Sequence, residues 1–370
     1  MIAREQRAIA RSAVVGRGRV WMFGPAWGAR GGMASVAQSY ADGGLFDQCG
    51  VRYVSTYEAA SPLTQLRVFG GVLLKFCGAL LSRRVDLVHL HSASRGSFLR
   101  KALLATLCRG FGVPYLFHLH SGEFLRDYLE AWPGWRRKWA QRTLNGASRV
   151  IMLSPSWQAA FAPHFPQARF EVMLNPVEVP DQLPHKSGQR HVMLFLGRIT
   201  DKKGAFDLLR ALPAALTRCP ALRITMAGPG EIEQAQLLVK ELGVPDGVVD
   251  FPGWIDGERK RQALADAGTF VLPSHFEGVP IGVLEAMAHG MAVVATSVGG
   301  IPDVVRHGSN GRLVAVGDVH ALSEALIQVL AEPAATEGQV NRAFATVQSH
   351  RLPAVVASLA AMYARAVAER

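Results

Sequence analysis

Short apolar runs recur along the chain, separated by Gly/Pro/Ser turns and longer mixed stretches. The first series is RVWMFGP (19–25), VRYVST (51–56), VDLVHLHS (85–92), PYLFHLHS (114–121) and RVIMLSP (149–155). The second is HVMLFLGR (191–198), LRITMAG (222–228), VVDFPG (248–253), TFVLPS (269–274) and AVVATS (292–297). Most are rich in β-branched or aromatic residues and do not alternate with polar ones, as expected of strands buried on both faces of a parallel sheet. Between them, stretches such as 99–109, 205–216 and 258–267 read as helices. Strand–helix alternation of this kind predicts an α/β protein with parallel sheets. The polar segment EVPDQLPHKSGQR (178–190) has two prolines, ends the first series and reads as a linker. The expectation is two Rossmann-like domains, 1–182 and 183–351, with ligand at the carboxyl ends of the strands.

Composition agrees. A chain of 370 residues suggests two domains. With 49% apolar and 19% charged residues it has ample material for a core. Its four cysteines, Cys49, Cys77, Cys108 and Cys219, are widely spaced, which excludes a disulfide framework and fits a reducing compartment. No stretch reaches 18 apolar residues without a charge, which speaks against a membrane-spanning helix. The nearest approach is Leu66–Arg84, with Lys75 at its centre. The first 19 residues carry five arginines but no signal-peptide core, and read as a basic tail or a membrane-contacting arm.

Charge is unevenly placed. Residues 1–180 hold 22 Lys/Arg against 10 Asp/Glu, a net of +12, while residues 181–370 hold 18 against 19, a net of −1. A basic half implies an anionic partner, either nucleic acid or a membrane surface. No nucleic-acid-binding motif is present. Arg136, Arg137 and Lys138 lie among Trp132, Trp135 and Trp139, a mixture suited to a headgroup interface. The plain alternative is a solvated helix face with its aromatics packed inward.

Two constellations carry chemistry. In HFEGVPIGVLEAMAHGMAVVAT (275–296) a Gly-bearing loop follows a strand and enters a helix with Pro280 as its first residue. The amides of Val279, Ile281 and Gly282 fall near that helix start, where free N–H groups and the dipole favour phosphate. Glu277 precedes the helix and Glu285 lies in its second turn, so each carboxylate is placed to accept hydrogen bonds from a sugar. In GRITDKKGAFDLLRAL (197–212) a strand delivers Arg198 to the carboxyl edge of a sheet, and Lys203 follows at a helix start. A guanidinium fork and an ammonium together neutralise a diphosphate. For either segment the bland reading is a capped or solvated loop.

Together, G-R-x-x-x-x-K-G and E-G-x-x-x-G-x-x-E-A resemble the donor-site signature of retaining GT-B glycosyltransferases, glycosyltransferase family 4, over most of the chain. The resemblance implies the GT-B fold, in which two Rossmann-like domains with parallel sheets face an interdomain cleft. It implies a last helix within 352–370 crossing back to the first domain, and catalysis with neither cofactor nor metal. It assigns Arg198 and Lys203 to the donor diphosphate, Glu277 to the transferred sugar and Glu285 to ribose. Gly228, Gly278, Val279, Pro280, Ile281 and Gly282 complete the donor site. Gly31 and Gly32, in GPAWGARGGM (24–33), resemble the family's first loop, although a tight strand–helix turn requires glycine anyway. In PYLFHLHSGEF (114–124), His120 matches the histidine that contacts the donor sugar and joins Glu277, Arg198 and Lys203 as catalytic. His118 reads as packed within the sheet; a metal pair of His118 with His120, completed by Glu123, is the alternative. His91 or Ser92 is a candidate for lining the acceptor site, with core packing equally open.

The function expected is transfer of a sugar from a UDP- or GDP-linked donor to an acceptor hydroxyl, with retention. The expected acceptor is a polyprenyl-diphosphate-linked saccharide in bacterial surface polysaccharide synthesis. The expected location is the inner face of the cytoplasmic membrane, bound peripherally through the basic first domain. A nucleotide-sugar epimerase of the same fold and a non-catalytic sugar-binding protein are the alternatives.

Overall fold

The computed structural model describes residues 19–29, 31–58 and 61–370. Apart from Arg19, the basic tail expected from the first residues lies outside the described residues. Contacts divide the chain into two units, one ending at Pro176 and resuming over Leu352–Arg370, the other spanning Val177–Arg351.

The first unit holds β1 (Val20–Gly24), β2 (Val51–Ser55), β3 (Leu87–Ser92), β4 (Tyr115–Leu119), β5 (Arg149–Met152) and β6 (Phe170–Val172) in the order β2-β1-β3-β4-β5-β6. Every pairing in it is parallel. The core strands β1, β3 and β4 are buried along their whole length, which explains their unalternating apolar runs. The last helix, Leu352–Ala368, belongs to this unit. It buries Leu359, Met362 and Tyr363 and sets the Tyr363 hydroxyl 2.7 Å from His89 Nδ1.

The second unit holds β7 (Val192–Leu196), β8 (Arg223–Ala227), β9 (Val249–Asp250), β10 (Thr269–Leu272), β11 (Ala292–Thr296) and β12 (Arg312–Val314), again all parallel. Their order is β12-β11-β10-β7-β8-β9. Counted from β7 this is the 3-2-1-4-5-6 order of a doubly wound sheet, whose topological switch point falls between β7 and β10.

All ten apolar runs form strands. The two strands that pattern reading missed, β6 and β12, have three residues each and lie at sheet edges, too short to display a period. The segment 178–190 is not a free linker. Lys186 donates to the carbonyls of Leu264, Ala265 and Ala267 at the end of the helix Gly257–Asp266. Arg190 donates to the carbonyls of Gly268 and Gly290, and both side chains are buried.

The helix Pro62–Leu81 departs most from expectation. Ser61 caps it by accepting from the Thr64 N–H. Val72, Phe76 and Leu80 face inward, with Phe76 packed 5.6 Å from Trp21 and 5.0 Å from Phe23, ring centre to ring centre. Leu63, Leu66, Leu74 and Leu81 are 58–78% exposed. Over Leu63–Leu81 the helix is long and apolar enough to cross a membrane by length and composition. The single charge of Lys75, on which the sequence reading turned, does not disqualify it, because a lysine stem lies along apolar surface while its ammonium stays in water.

Candidate active site

In the second unit the predicted donor residues gather at the switch point. β7 ends at Leu196, and Arg198 follows two residues later, exposed and, among the described residues, with no ion-pair partner. The chain then makes one short turn, Asp201–Lys203, and enters the helix Ala205–Arg218. Gly204 makes this entry possible. Its φ is +66°, and a Cβ there would lie 1.9 Å from the Pro273 carbonyl oxygen. The β7 loop is thereby pressed onto the loop after β10, and the His275 N–H donates to the Lys202 carbonyl at 3.0 Å.

That contact joins Lys203 to Glu277. The Lys203 ammonium donates to Glu277 Oε1, and the Ser274 hydroxyl donates to the same oxygen at 2.9 Å. The carboxylate is 9% exposed and the lysine 28%. A third loop braces them from β11, where the Gly300 N–H donates to the Gly278 carbonyl at 2.9 Å. Gly228, just beyond β8, closes the other side. A Cβ on it would come within 1.8 Å of the Gly197 carbonyl oxygen.

The helix Ile281–Ala288 starts one residue later than expected, with Pro280 as its cap rather than its first residue. Its first turn carries no acidic residue, so the amides of Ile281 and Gly282 face no like-placed carboxylate. Gly282 lies against Phe270, where a Cβ would stand 3.0 Å from the ring. Val279 is buried, 4% exposed. Glu285 is held by the Lys260 ammonium at 2.6 Å, a partner that sequence reading missed. Lys260 lies 25 positions away on another helix, and no local spacing reveals that pairing.

In the first unit, Gly31 caps the helix Gly32–Asp42, and Gly32 is its first residue. Gly31 has φ +142°, and its carbonyl accepts from the N–H groups of Ala34 and Ser35. His120 follows β4. Its N–H donates to the Ser92 carbonyl at 2.9 Å, and its Nε2 lies 2.8 Å from His91 Nδ1. Burial first, and the neighbouring Lys101 second, lower its pKa to about 3, so the ring is neutral at physiological pH.

Several readings for this unit are narrowed. His91 and Ser92 are completely buried, which favours core packing of the two readings left open for them. Ser92 turns its hydroxyl onto its own neighbour's carbonyl, at Ala93. The alternative grouping of His118 with His120 and Glu123 as metal ligands is not formed among the described residues, and His118 is buried in the sheet. Glu123 pairs with Arg126 at 3.7 Å, and His118 lies among His89 and His91. The tryptophan–arginine segment is mostly inward. Trp132 is buried and stacks on Phe98. Arg136 lies over its ring at 4.1 Å. Arg137 donates to the carbonyls of Trp132 and Leu129. Trp135, Lys138 and Arg142 are the exposed aromatic and basic side chains there, so the bland reading describes the aromatic face and the two arginines packed on it.

Lys101 was also missed. It lies at 1% exposure on the buried face of the helix Arg95–Gly110 and donates to Thr56 Oγ1 at 2.6 Å. Burial lowers its pKa to about 7. The signal was available, because Lys101 falls in register with Phe98, Ala102, Ala105 and Cys108 on one apolar stripe.

Comparison with known proteins completes the description. Residues 17–176 match the family "Glycosyl transferase 4-like domain", and residues 190–332 match "Glycosyl transferases group 1". The phosphatidyl-myo-inositol mannosyltransferase of Mycolicibacterium smegmatis is 28% identical over 285 residues, covering 75% of this chain and 70% of that protein. The GDP-mannose-dependent alpha-(1-6)-phosphatidylinositol monomannoside mannosyltransferase of the same organism is 36% identical over 168 residues. That match covers 43% of this chain and 44% of the relative, so it spans less than half of the relative's length. Anabaena HepE, whose crystal structure is in complex with UDP and glucose, superposes with a TM-score of 0.70 at 19% identity, over 93% of this chain and 98% of that one.

Proposed function

Because the chain belongs to the group 1 glycosyl transferases and has the GT-B fold, we propose that it moves a hexose, with retention, from a UDP- or GDP-linked donor to an acceptor hydroxyl. The observation that carries this reading is the meeting of Lys203 and Glu277 at the switch point of the second sheet, beside an Arg198 that no carboxylate engages among the described residues. Without ligand, Lys203 and Glu277 satisfy each other. An arriving diphosphate competes for the ammonium and adds the Arg198 fork, which frees the carboxylate to accept from sugar hydroxyls. As the bond to the diphosphate breaks, an oxocarbenium-like centre develops. The two cations stabilise the charge gathering on the leaving group, so no metal is needed at this step. The departing oxygen accepts the acceptor's proton. Glu277 orients the sugar, Glu285 meets the ribose, and the Ile281 and Gly282 amides meet phosphate. In the first unit, His120 is neutral and tied to His91 through Nε2, which leaves its Nδ1 as the nitrogen for a sugar hydroxyl.

The acceptor in this reading is a lipid-linked saccharide, a polyprenyl diphosphate carrier of bacterial surface polysaccharide, and the protein binds peripherally to the inner face of the cytoplasmic membrane. The support is the helix Pro62–Leu81, with its four exposed leucines. Beside it runs a groove of about 630 Å³ lined by Arg19, Arg52, Lys75 and Arg84. Apolar anchors beside cations suit an anionic bilayer. The named relatives that act on phosphatidylinositol derivatives favour a lipid acceptor.

A panel of UDP- and GDP-sugars tested by thermal shift checks the donor half of this reading. Ligand at 100 times its dissociation constant stabilises by roughly 2.7 kcal/mol. One nucleotide class is expected to give that shift, and to lose it in Arg198→Ala. A panel with no response from either class contradicts the donor reading.

A further inference from the structure

Four imidazoles occupy one face of the first sheet. His89 and His91 come from β3, and His118 and His120 from β4 and its end. His91 and His118 are register partners on the parallel strands. The rings lie close, His89 stacked on His91 at 4.3 Å and His118 tilted against His120 at 4.0 Å, centre to centre. His89, His91 and His118 are completely buried. A buried polar atom ordinarily has a partner, yet among the described residues His91 Nε2 and His118 Nε2 have none.

Two of these rings are fixed from outside. His89 Nδ1 lies 2.7 Å from the Tyr363 hydroxyl, and His91 Nδ1 lies 2.8 Å from His120 Nε2. When Nδ1 is the protonated position, Nε2 is left with a lone pair facing the cluster. A metal-bound histidine is ordinarily held this way, with its second nitrogen engaged by an outer partner. One nitrogen from each of His89, His91 and His118 falls within 4.8 Å of the other two. Ligands 2.0–2.1 Å from a tetrahedral ion stand about 3.3 Å from one another. His89 Nε2 and His118 Nδ1 are hydrogen-bonded at 3.2 Å, and an ion bound to both nitrogens replaces that bond, with His118 then ligating through Nδ1 and carrying its proton on Nε2. The third ring closes the set with a shift of about 1 Å or more, within the reach of a side-chain torsion. Burial keeps all three rings neutral, the form that binds metal. The nearby Lys101 turns its ammonium onto Thr56.

We propose that His89, His91 and His118 form a buried site for a divalent transition ion of the zinc class, with Tyr363 and His120 as the outer partners that orient the ligands. Imidazole nitrogen without carboxylate selects zinc, cobalt or nickel over magnesium and calcium. The site lies within the first unit. It joins the last helix to the sheet through Tyr363, and it fixes the orientation of His120 through His91. Because the rings are buried, the ion enters as the chain folds.

The test uses the full chain without a histidine tag, expressed in zinc- or cobalt-supplemented medium and gel-filtered in metal-free buffer. Metal content is measured by mass spectrometry of the digested protein. One ion per chain is expected, with the visible ligand-field absorption of a four-coordinate site in the cobalt form. His118→Gln and His89→Gln are expected to lose the ion. His185→Gln, at an exposed histidine of the second unit, is expected to keep it. A folded wild-type chain that retains less than a tenth of an equivalent of either metal overturns the proposal, and the cluster is then a stack bridged by water. Retention undiminished in a folded His118→Gln chain places the ion elsewhere and overturns it equally. The nucleotide-sugar thermal shift reads the second unit, so failure of the donor reading and failure of this one are told apart.

Discussion

Glu277 is the residue on which most converges. It receives Lys203 and Ser274 on one oxygen and stands in a loop braced by the chains after β7 and β11. Glu277→Gln keeps the volume and removes the charge, so it is expected to leave the thermal midpoint within a few degrees and lower kcat by more than tenfold, a barrier change above ~1.4 kcal/mol. Circular dichroism melting and initial rates check both halves of that statement. Arg198→Ala and Lys203→Ala are each expected to weaken donor binding and slow turnover. Their combined loss is expected to fall short of the sum of the single losses, because both stabilise one leaving group. Simple additivity in the double mutant contradicts a shared diphosphate. Arg198, Lys203, Glu277 and Glu285 were legible as a set because G-R-x-x-x-x-K-G and E-G-x-x-x-G-x-x-E-A are local patterns. Lys260 and Tyr363 were not, because their partners lie on other elements and only the folded chain brings them together.

At the scale of elements, buried strands announced themselves by unalternating apolar runs, and the short edge strands β6 and β12 did not. Helix faces were harder. For the tryptophan–arginine segment the sequence left membrane contact and a solvated face with inward aromatics equally open. The fold separates that segment from the leucine-rich helix, because Trp132, Arg136 and Arg137 pack on one another while Leu63, Leu66, Leu74 and Leu81 stay outside. Replacing Leu66, Leu74 and Leu81 together with Gln is expected to reduce binding to anionic vesicles at least tenfold without changing donor affinity. Co-sedimentation measures this, and unchanged sedimentation removes the helix from the membrane account. Lys101 gives a pH prediction. Its pKa is lowered from 10.5 to about 7, so between those values the unfolded chain holds a proton that the folded one has released. Stability therefore rises with pH through this window. The urea midpoint of the wild type is expected to gain on that of Lys101→Met as the pH rises from 7 to 10. An unchanged slope in Lys101→Met contradicts the assignment.

Across the whole molecule, charge and chemistry divide between the halves of the sequence. The first 180 residues carry a net of +12, and the rest a net of −1. In the proposed reading the basic half meets an anionic surface, and the near-neutral half takes a soluble nucleotide sugar. The fold was legible because both sheets repeat one strand–helix grammar. The identity of base, sugar and acceptor was not, because the motif residues touch phosphate and hydroxyls common to many donors. Transfer is expected to proceed without added magnesium or manganese, and strict dependence on either contradicts the cationic leaving-group account. The most direct measurement of the central claim follows nucleoside diphosphate release from the donor selected by thermal shift, with and without a lipid-linked saccharide extract. The account predicts release that depends on the extract, accompanied by a lipid product one sugar larger, and abolished by Glu277→Gln. Release or isomerisation of the donor that ignores the acceptor, with no enlarged lipid product, would contradict it.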